Sequence, residues 1–298
     1  MTMTRSVAVL GPGAVGGTFA VRLALAGNHT IVVAPADTIG MVALAGITLE
    51  VDGDVLSARP EVREQLERPV KLLIVAVKAH QLPDALGRVD PEVVAGGVVV
   101  PLLNGLEHLD PIRAHFGPRV AAASLSRFEA YRVGRVQIVQ PRPTALVTLA
   151  SEELSRVELE EVAAVIRGAG ADVEIEEDEK SVLWRKAARL AVLSAATSLT
   201  RRPVGALRED IEWRPRMEAA LAEACAVAAA DGVNLIPSSQ WSVITSMDYE
   251  LTTSTARDVA EGRPSELDAI AGSVVRAGKR LGVPCPVLSE LVSEALAA

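Results

Sequence analysis

Six residues near the start of the chain constrain its fold more than any others: Gly11-Pro12-Gly13-Ala14-Val15-Gly16. They follow the apolar run Ser6-Val7-Ala8-Val9-Leu10 and precede a helical pattern, Thr18–Ala26, closed by Gly27-Asn28. A strand that turns on glycines into a helix opens a βαβ unit. The first half of the chain keeps that rhythm. Thr30–Ala34, Val70–Val77 and Gly97–Leu102 are short, nearly continuous apolar runs, the kind buried on both faces of a parallel sheet. Thr48–Val51 and Val55–Ala58, joined by Asp52-Gly53-Asp54, read as a hairpin. Val133–Val139 and Thr144–Leu149 read as later strands, Glu153–Ala169 as an amphipathic helix and Asp172–Glu176 as a last strand.

The pattern changes at the acidic run Glu176-Glu177-Asp178-Glu179, which suits a solvated linker or a helix N-terminus. Beyond it the period is helical: Ser181–Thr200, Arg216–Asp231, a stretch around Ser239–Asp258, Ser265–Leu281 and Val287–Ala297. The chain has 298 residues, more than one typical domain. The sequence therefore predicts an α/β domain over residues 1–177 and an all-α domain over 178–298.

The spacing of the glycines carries a specific chemistry. Gly11 would make the tight turn, Gly13 would let backbone approach a pyrophosphate, and Gly16 would let the helix pack on the strand. The N–H groups of Ala14 and Val15, at the positive end of the helix, would face the phosphates. The expected ligand is a dinucleotide. The next strand ends Val32-Val33-Ala34-Pro35-Ala36-Asp37, with no Arg for a 2′-phosphate. Asp37 is either a ribose 2′-hydroxyl ligand or a helix-start residue before Thr38. Two further strand ends carry polar groups, Lys78 after Val75-Ala76-Val77 and Asn104 after Pro101-Leu102-Leu103. Ligands of open α/β sheets bind at that end of the strands.

In the second half, Lys186 shares one helix face with Leu190 and Ser194. Only five lysines occur among 30 basic side chains: Lys71, Lys78, Lys180, Lys186 and Lys279. Lysine, unlike arginine, can be driven by burial to trade protons near neutral pH. Ser254 and Asp258 lie one turn apart, and Glu266 follows Pro264-Ser265 in what reads as the first turn of a helix. An apolar helix face would lower the pKa of Lys186 and Glu266 would raise it.

Composition narrows the classes. A formal charge of −8 argues against nucleic acid as a partner. No apolar run reaches the ~18 residues of a membrane span, and Met1–Ser6 does not lead into a signal core, so a cytoplasmic protein is expected. Aromatic residues are 3%, which predicts an Ala/Val/Leu core. Cys225 and Cys285 show no metal spacing and read as buried free thiols; no metal site is expected. The Ala-rich helix Met217–Ala230 predicts close helix packing, either inside the domain or across a homodimer.

Taken in order along the whole chain, these pieces resemble the ketopantoate reductase (2-dehydropantoate 2-reductase) family. The glycine turn, Val77-Lys78-Ala79, Asn104-Gly105, Trp184-Arg185-Lys186 with Thr197 and Gly205, Thr253-Ser254 with Asp258, Ser265-Glu266-Leu267-Asp268 and Gly282-Val283-Pro284 carry the resemblance. It implies a Rossmann domain followed by a helical domain like the C-terminal domain of 6-phosphogluconate dehydrogenase. It also implies reduction of a 2-keto acid with NADP, or with NAD, at a cleft between the two. By position Lys186 would be the general acid and Glu266 its substrate-orienting partner. Ser254 would bind the substrate carboxylate, and Lys78 and Asn104 would line the cofactor side. The family carries asparagines one and two turns after the lysine; here those positions are Leu190 and Ser194, which would favour a less polar substrate. Three readings follow: a ketopantoate reductase of the pantothenate pathway, a paralogue acting on a less polar keto acid, ketone or imine, and a non-catalytic dinucleotide sensor.

Overall fold

The computed structural model describes residues 6–297. Met1–Arg5, most of the Met1–Ser6 stretch expected not to lead into a signal core, and Ala298 lie outside the described residues. The chain divides into two compact units. One comprises the described residues through Leu103 together with His108–Val182; the other comprises Leu183 onward together with Asn104–Glu107. Those four residues thus group with the helical unit, not with the sheet they follow.

The first unit is built on strands β1 (Ser6–Leu10), β2 (His29–Val33), β3 (Ile47–Val51), β4 (Asp54–Ala58), β5 (Glu61–Arg63), β6 (Leu72–Val75) and β7 (Val98–Pro101). Later come β8 (Ala122–Ser126), β9 (Tyr131–Arg132), β10 (Gln137–Gln140), β11 (Leu146–Ala150) and β12 (Asp172–Ile175). The central sheet is parallel, in the order β5-β2-β1-β6-β7, with Leu10 level with Val33 on one side and Val75 on the other. β1, β6 and β7 are buried almost end to end, as the strands of a parallel sheet covered on both faces are. The expected hairpin exists as β3–β4, but it belongs to a second sheet, β4-β3-β10-β9. A third sheet, β12-β11-β8, completes the unit.

Helix boundaries show where local chemistry overrides periodicity. The first helix, α1, spans Ala14–Leu25 and so begins four residues earlier than its apolar pattern. Gly16 and Gly17 hide its first turn from propensity arguments. The next helices are α2 (Ala36–Ala45), α3 (Leu82–Leu86) and α4 (Leu109–Phe116). α5 (Arg156–Gly168) starts later than Glu153 because Ser155 caps it. The Ser155 hydroxyl accepts from Glu158 N, and the Glu158 carboxylate accepts from Ser155 N at 2.9 Å.

The second unit is helical. Its long helix α6 (Glu179–Thr200) is followed by α7 (Val204–Arg208), α8 (Trp213–Ala230), α9 (Pro237–Thr245) and α10 (Ser254–Ala260). α11 (Ser273–Leu281) and α12 (Pro286–Ala297) close the chain. The stretch expected as one helix around Ser239–Asp258 is two, α9 and α10, separated by a loop through Asp248 and Tyr249. The helix expected from Ser265 is also interrupted: Asp268–Gly272 is a wider π turn that runs into α11. The core is the small-residue packing foreseen from composition. Ala220, Ala224 and Ala228 of α8 are fully buried within the unit, so that helix spends its close-packing face internally. Trp184 of α6 is buried, and its indole N–H donates to Asp231 at the end of α8, 2.8 Å away. Cys225 and Cys285 are buried and unbridged. Among the described residues no helix is long and apolar enough to cross a membrane.

Candidate active site

The glycine turn is built from the carboxyl end of β1. Gly11 N–H donates to Val33 O at 3.0 Å, which sets the turn beside the end of β2. Gly11 has φ +89°, a conformation that L side chains avoid, and a Cβ there would strike Val77. At Gly16 a Cβ would fall 2.0 Å from Gly11 O, so strand and helix are in backbone contact there. Gly13 differs. A Cβ on it would meet nothing nearer than Ala76 O at 3.9 Å, so the packing of the protein does not demand glycine there. A ligand lying against that backbone would. Gly13 is also the N-cap of α1 and offers no side chain to the first N–H groups, Ala14 and Val15 among them. A bare, positively polarised helix start with open backbone at its second glycine fits a dinucleotide pyrophosphate.

Asp37 lies in the first turn of α2, four residues beyond the end of β2, and is exposed. Its carboxylate accepts from Thr38 N at 2.8 Å and pairs with Arg135 at 3.5 Å. Arg63, level with Val33 at the end of β5, pairs with Glu61 at 2.7 Å. Lys78 is half-buried just after β6, where its N–H donates to Gln81 Oε1 at 3.3 Å and opens a short 3₁₀ turn.

The second unit gathers the remaining residues around Lys186. Its ammonium donates to Asn104 Oδ1 at 2.6 Å. Burial pulls Lys186 down from the ordinary lysine value to about 8. The negative charge of Glu266 opposes that fall, and the neighbouring Arg189 adds to it. The competition left open by the sequence is thus won by desolvation. Glu266 is half-buried and stands just before the helical residues rather than in a first turn; its carbonyl accepts from Ile270 N at 2.9 Å.

The face below Lys186 is mixed. Leu190 is half-buried, whereas Ser194 is fully buried and its hydroxyl has no hydrogen-bond partner. Ser198, which the sequence reading overlooked, continues that stripe one turn further and is likewise buried with an unpartnered hydroxyl. Its i+4 spacing from Ser194 was the available signal. Thr197 Oγ1 meets Thr253 Oγ1 at 2.9 Å, and Thr253 caps α10 by accepting from Ala256 N. Ser254 is exposed at the start of that helix. Asp258 has a structural duty: it is buried and holds Arg263 at 3.0 Å, closing the loop that leads to Glu266. Among the described residues no group of His, Cys, Asp and Glu is placed to hold a metal ion.

Comparison with known proteins identifies the family over both units. The family described as "Ketopantoate reductase PanE/ApbA" matches residues 7–150, and its C-terminal counterpart matches residues 178–297. The chain is 29% identical to a 2-dehydropantoate 2-reductase of Mycobacterium tuberculosis (strain ATCC 25618 / H37Rv), over 97% of this chain and 96% of that one. It is 25% identical to the "Uncharacterized oxidoreductase YkpB" of Bacillus subtilis (strain 168), over 94% of each. Among solved structures, a PanE/ApbA family ketopantoate reductase from Ralstonia eutropha JMP134 superposes with a TM-score of 0.86 at 26% identity, covering 98% and 97% of the two chains. A D-mandelate dehydrogenase in complex with NADH and anilino(oxo)acetate superposes with a TM-score of 0.91 at 20% identity, with the same coverage.

Proposed function

The chain belongs to the ketopantoate reductase family, and from that premise we propose that it reduces a 2-keto acid with a nicotinamide dinucleotide, Lys186 acting as general acid. The observation that carries this reading is the half-buried Lys186 ammonium, bonded to Asn104, backed by Glu266 and lowered to about 8. The Asn104 bond and the Glu266 charge offset the cost of burying the ammonium, and the lowered value lets it exchange a proton near neutral pH. A proton donor working near neutral pH needs such a value.

Roles follow from the groups present. When bound, the nicotinamide supplies a hydride to the carbonyl carbon of the substrate. Gly13 and the N-terminus of α1 hold the pyrophosphate, and Asp37 takes the adenosine ribose. Lys186 Nζ donates a hydrogen bond to the ketone oxygen, stabilises the negative charge that develops there, and gives up its proton to complete the alcohol. The Asn104 amide orients the ammonium, and Glu266 keeps it charged until the transfer. Ser254 receives the substrate carboxylate. The resemblance implies NADP, but the carboxylate of Asp37 and the pairing of Arg135 and Arg63 favour NAD.

2-Dehydropantoate is the first substrate to offer. A second reading rests on Leu190 and Ser194, where a half-buried aliphatic side chain and a buried hydroxyl stand in place of two amides. Such a face gives little reward to a substrate hydroxyl and suits a less polar keto acid. The fold accommodates such ligands: the mandelate dehydrogenase neighbour holds anilino(oxo)acetate. The test is oxidation of NADH and NADPH with 2-dehydropantoate, 2-ketoisovalerate and an aryl 2-keto acid. Turnover that is lost in Lys186→Ala supports the reading. Cofactor binding without turnover on any of the three leaves a dinucleotide sensor.

A further inference from the structure

We propose that Arg276 is a positioning residue: by gripping Glu107 and Asp268 together it fixes the Asn104–Glu107 segment, and with it the amide that holds Lys186. The inference rests on the proposed catalytic role of Lys186 for its functional meaning, though not for its geometry.

Asn104 sits in a four-residue segment that belongs to the helical unit. Gly105, next to it, has φ +91°, and a Cβ there would lie 2.1 Å from Ala269 O. The segment is therefore pressed backbone to backbone against the π turn Asp268–Gly272. Leu106 packs into the helical core. Glu107 is held from both sides of its carboxylate: Arg276 Nε donates to Oε1 at 3.0 Å and Nη2 to Oε2 at 2.8 Å. The same guanidinium donates from Nη1 to Asp268 Oδ1 at 2.8 Å and from Nη2 to Asp268 O at 3.1 Å. These two carboxylates, Glu107 foremost, hold the guanidinium charged. One planar fork thus joins the segment carrying Asn104 to the turn that begins two residues after Glu266. A lysine cannot reproduce that bidentate geometry.

The cluster is exposed; Arg276, Glu107 and Asp268 keep 43%, 46% and 66% of their side-chain surface. Exposed ion pairs contribute little to global stability. Three solvent-facing side chains are a weak investment in stability but a sound way to fix a backbone register beside a π turn, a feature that clusters at functional sites. The charged groups that face Lys186 are Glu266, from the loop before the π turn, and Arg189, on its own helix. Losing the Asn104 acceptor removes a hydrogen bond that favours the ammonium, so Lys186 should lose its proton at lower pH.

The test uses the full chain and four variants: Asn104→Ala, Arg276→Met, Glu107→Gln, and Asn104→Ala combined with Arg276→Met. Lys186 is methylated reductively with formaldehyde and a borohydride reagent across pH 6–11, and its peptide is quantified by mass spectrometry; kcat and melting temperature are measured in parallel. Asn104→Ala should lower the Lys186 midpoint by at least ~0.5 pH units. Arg276→Met should move it the same way by at least half as much, and Glu107→Gln should follow. The double variant should match Asn104→Ala alone, with melting temperatures within ~3 °C throughout. Arg276→Met that leaves the midpoint unmoved, or whose effect adds fully to that of Asn104→Ala, overturns the proposal, as does an Asn104→Ala that shifts nothing. Failure of the wild type to reduce any keto acid would refute the catalytic reading alone, because the labelling needs no turnover.

Discussion

Lys186 and Asn104 are 82 residues apart in the chain and 2.6 Å apart in space, Nζ donating to Oδ1. The bond joins the one lysine among the described residues that burial lowers markedly to an amide that leaves the parallel sheet at the end of β7. Removing the amide should therefore cost chemistry more than folding. Asn104→Ala is expected to lower kcat by ~10-fold or more while the thermal midpoint stays within ~3 °C. Steady-state kinetics beside a melting curve check both halves of that statement.

The glycine turn makes a sharper prediction, because its glycines are needed for different reasons. Gly16→Ala drives a methyl into Gly11 O and should lower both stability and dinucleotide affinity. Gly13→Ala has room within the protein and should melt within ~3 °C of wild type. It should nevertheless weaken NADH binding by ~10-fold or more, read by titration of nicotinamide fluorescence. An alanine at position 13 that binds NADH unchanged would remove the pyrophosphate from that turn.

The 2′ preference should follow Asp37. NADH is expected to bind at least ~10-fold more tightly than NADPH, and Asp37→Ala should erase most of the difference. Competitive titration of the two cofactors measures it directly. Tighter NADPH binding by the wild type would assign the site to Arg135 or Arg63 instead.

Substrate choice should turn on Leu190. Leu190→Asn restores an amide one turn after the lysine and should shift kcat/KM toward 2-dehydropantoate over 2-ketoisovalerate by ~10-fold or more. A ratio that does not move would mean that the side chain at 190 does not read the substrate.

Much of this is legible in the sequence. β1 was read to the residue, and the strand–turn–helix context gave the glycine turn its meaning. Lys186, Leu190 and Ser194 could be placed on one face because helical spacing is rigid. What escaped was set by tertiary contacts. Thr18–Ala26 was read short because glycines at a helix start look like a turn. The π turn at Asp268–Gly272 has no signature in hydrophobic period, so a continuous helix was expected from Ser265. Ser254 and Asp258 shared a face in the sequence reading, yet one is exposed and the other is buried against Arg263. The grouping of Asn104–Glu107 with the helices depends on the close approach of Gly105 to Ala269, which no local pattern announces.

The most direct test is the pH dependence of kcat for keto-acid reduction in the wild type and in Lys186→Ala. A general acid must carry its proton, so wild-type reduction should be fastest below the lysine pKa and fall as pH rises through about 8. The reverse oxidation, which needs the free amine, should rise across the same window. Lys186→Ala should lose at least ~10² in kcat and lose that transition with it. A variant that turns over at a rate near wild type, or one that keeps the same fall near pH 8, would contradict the assignment of Lys186 as the proton donor.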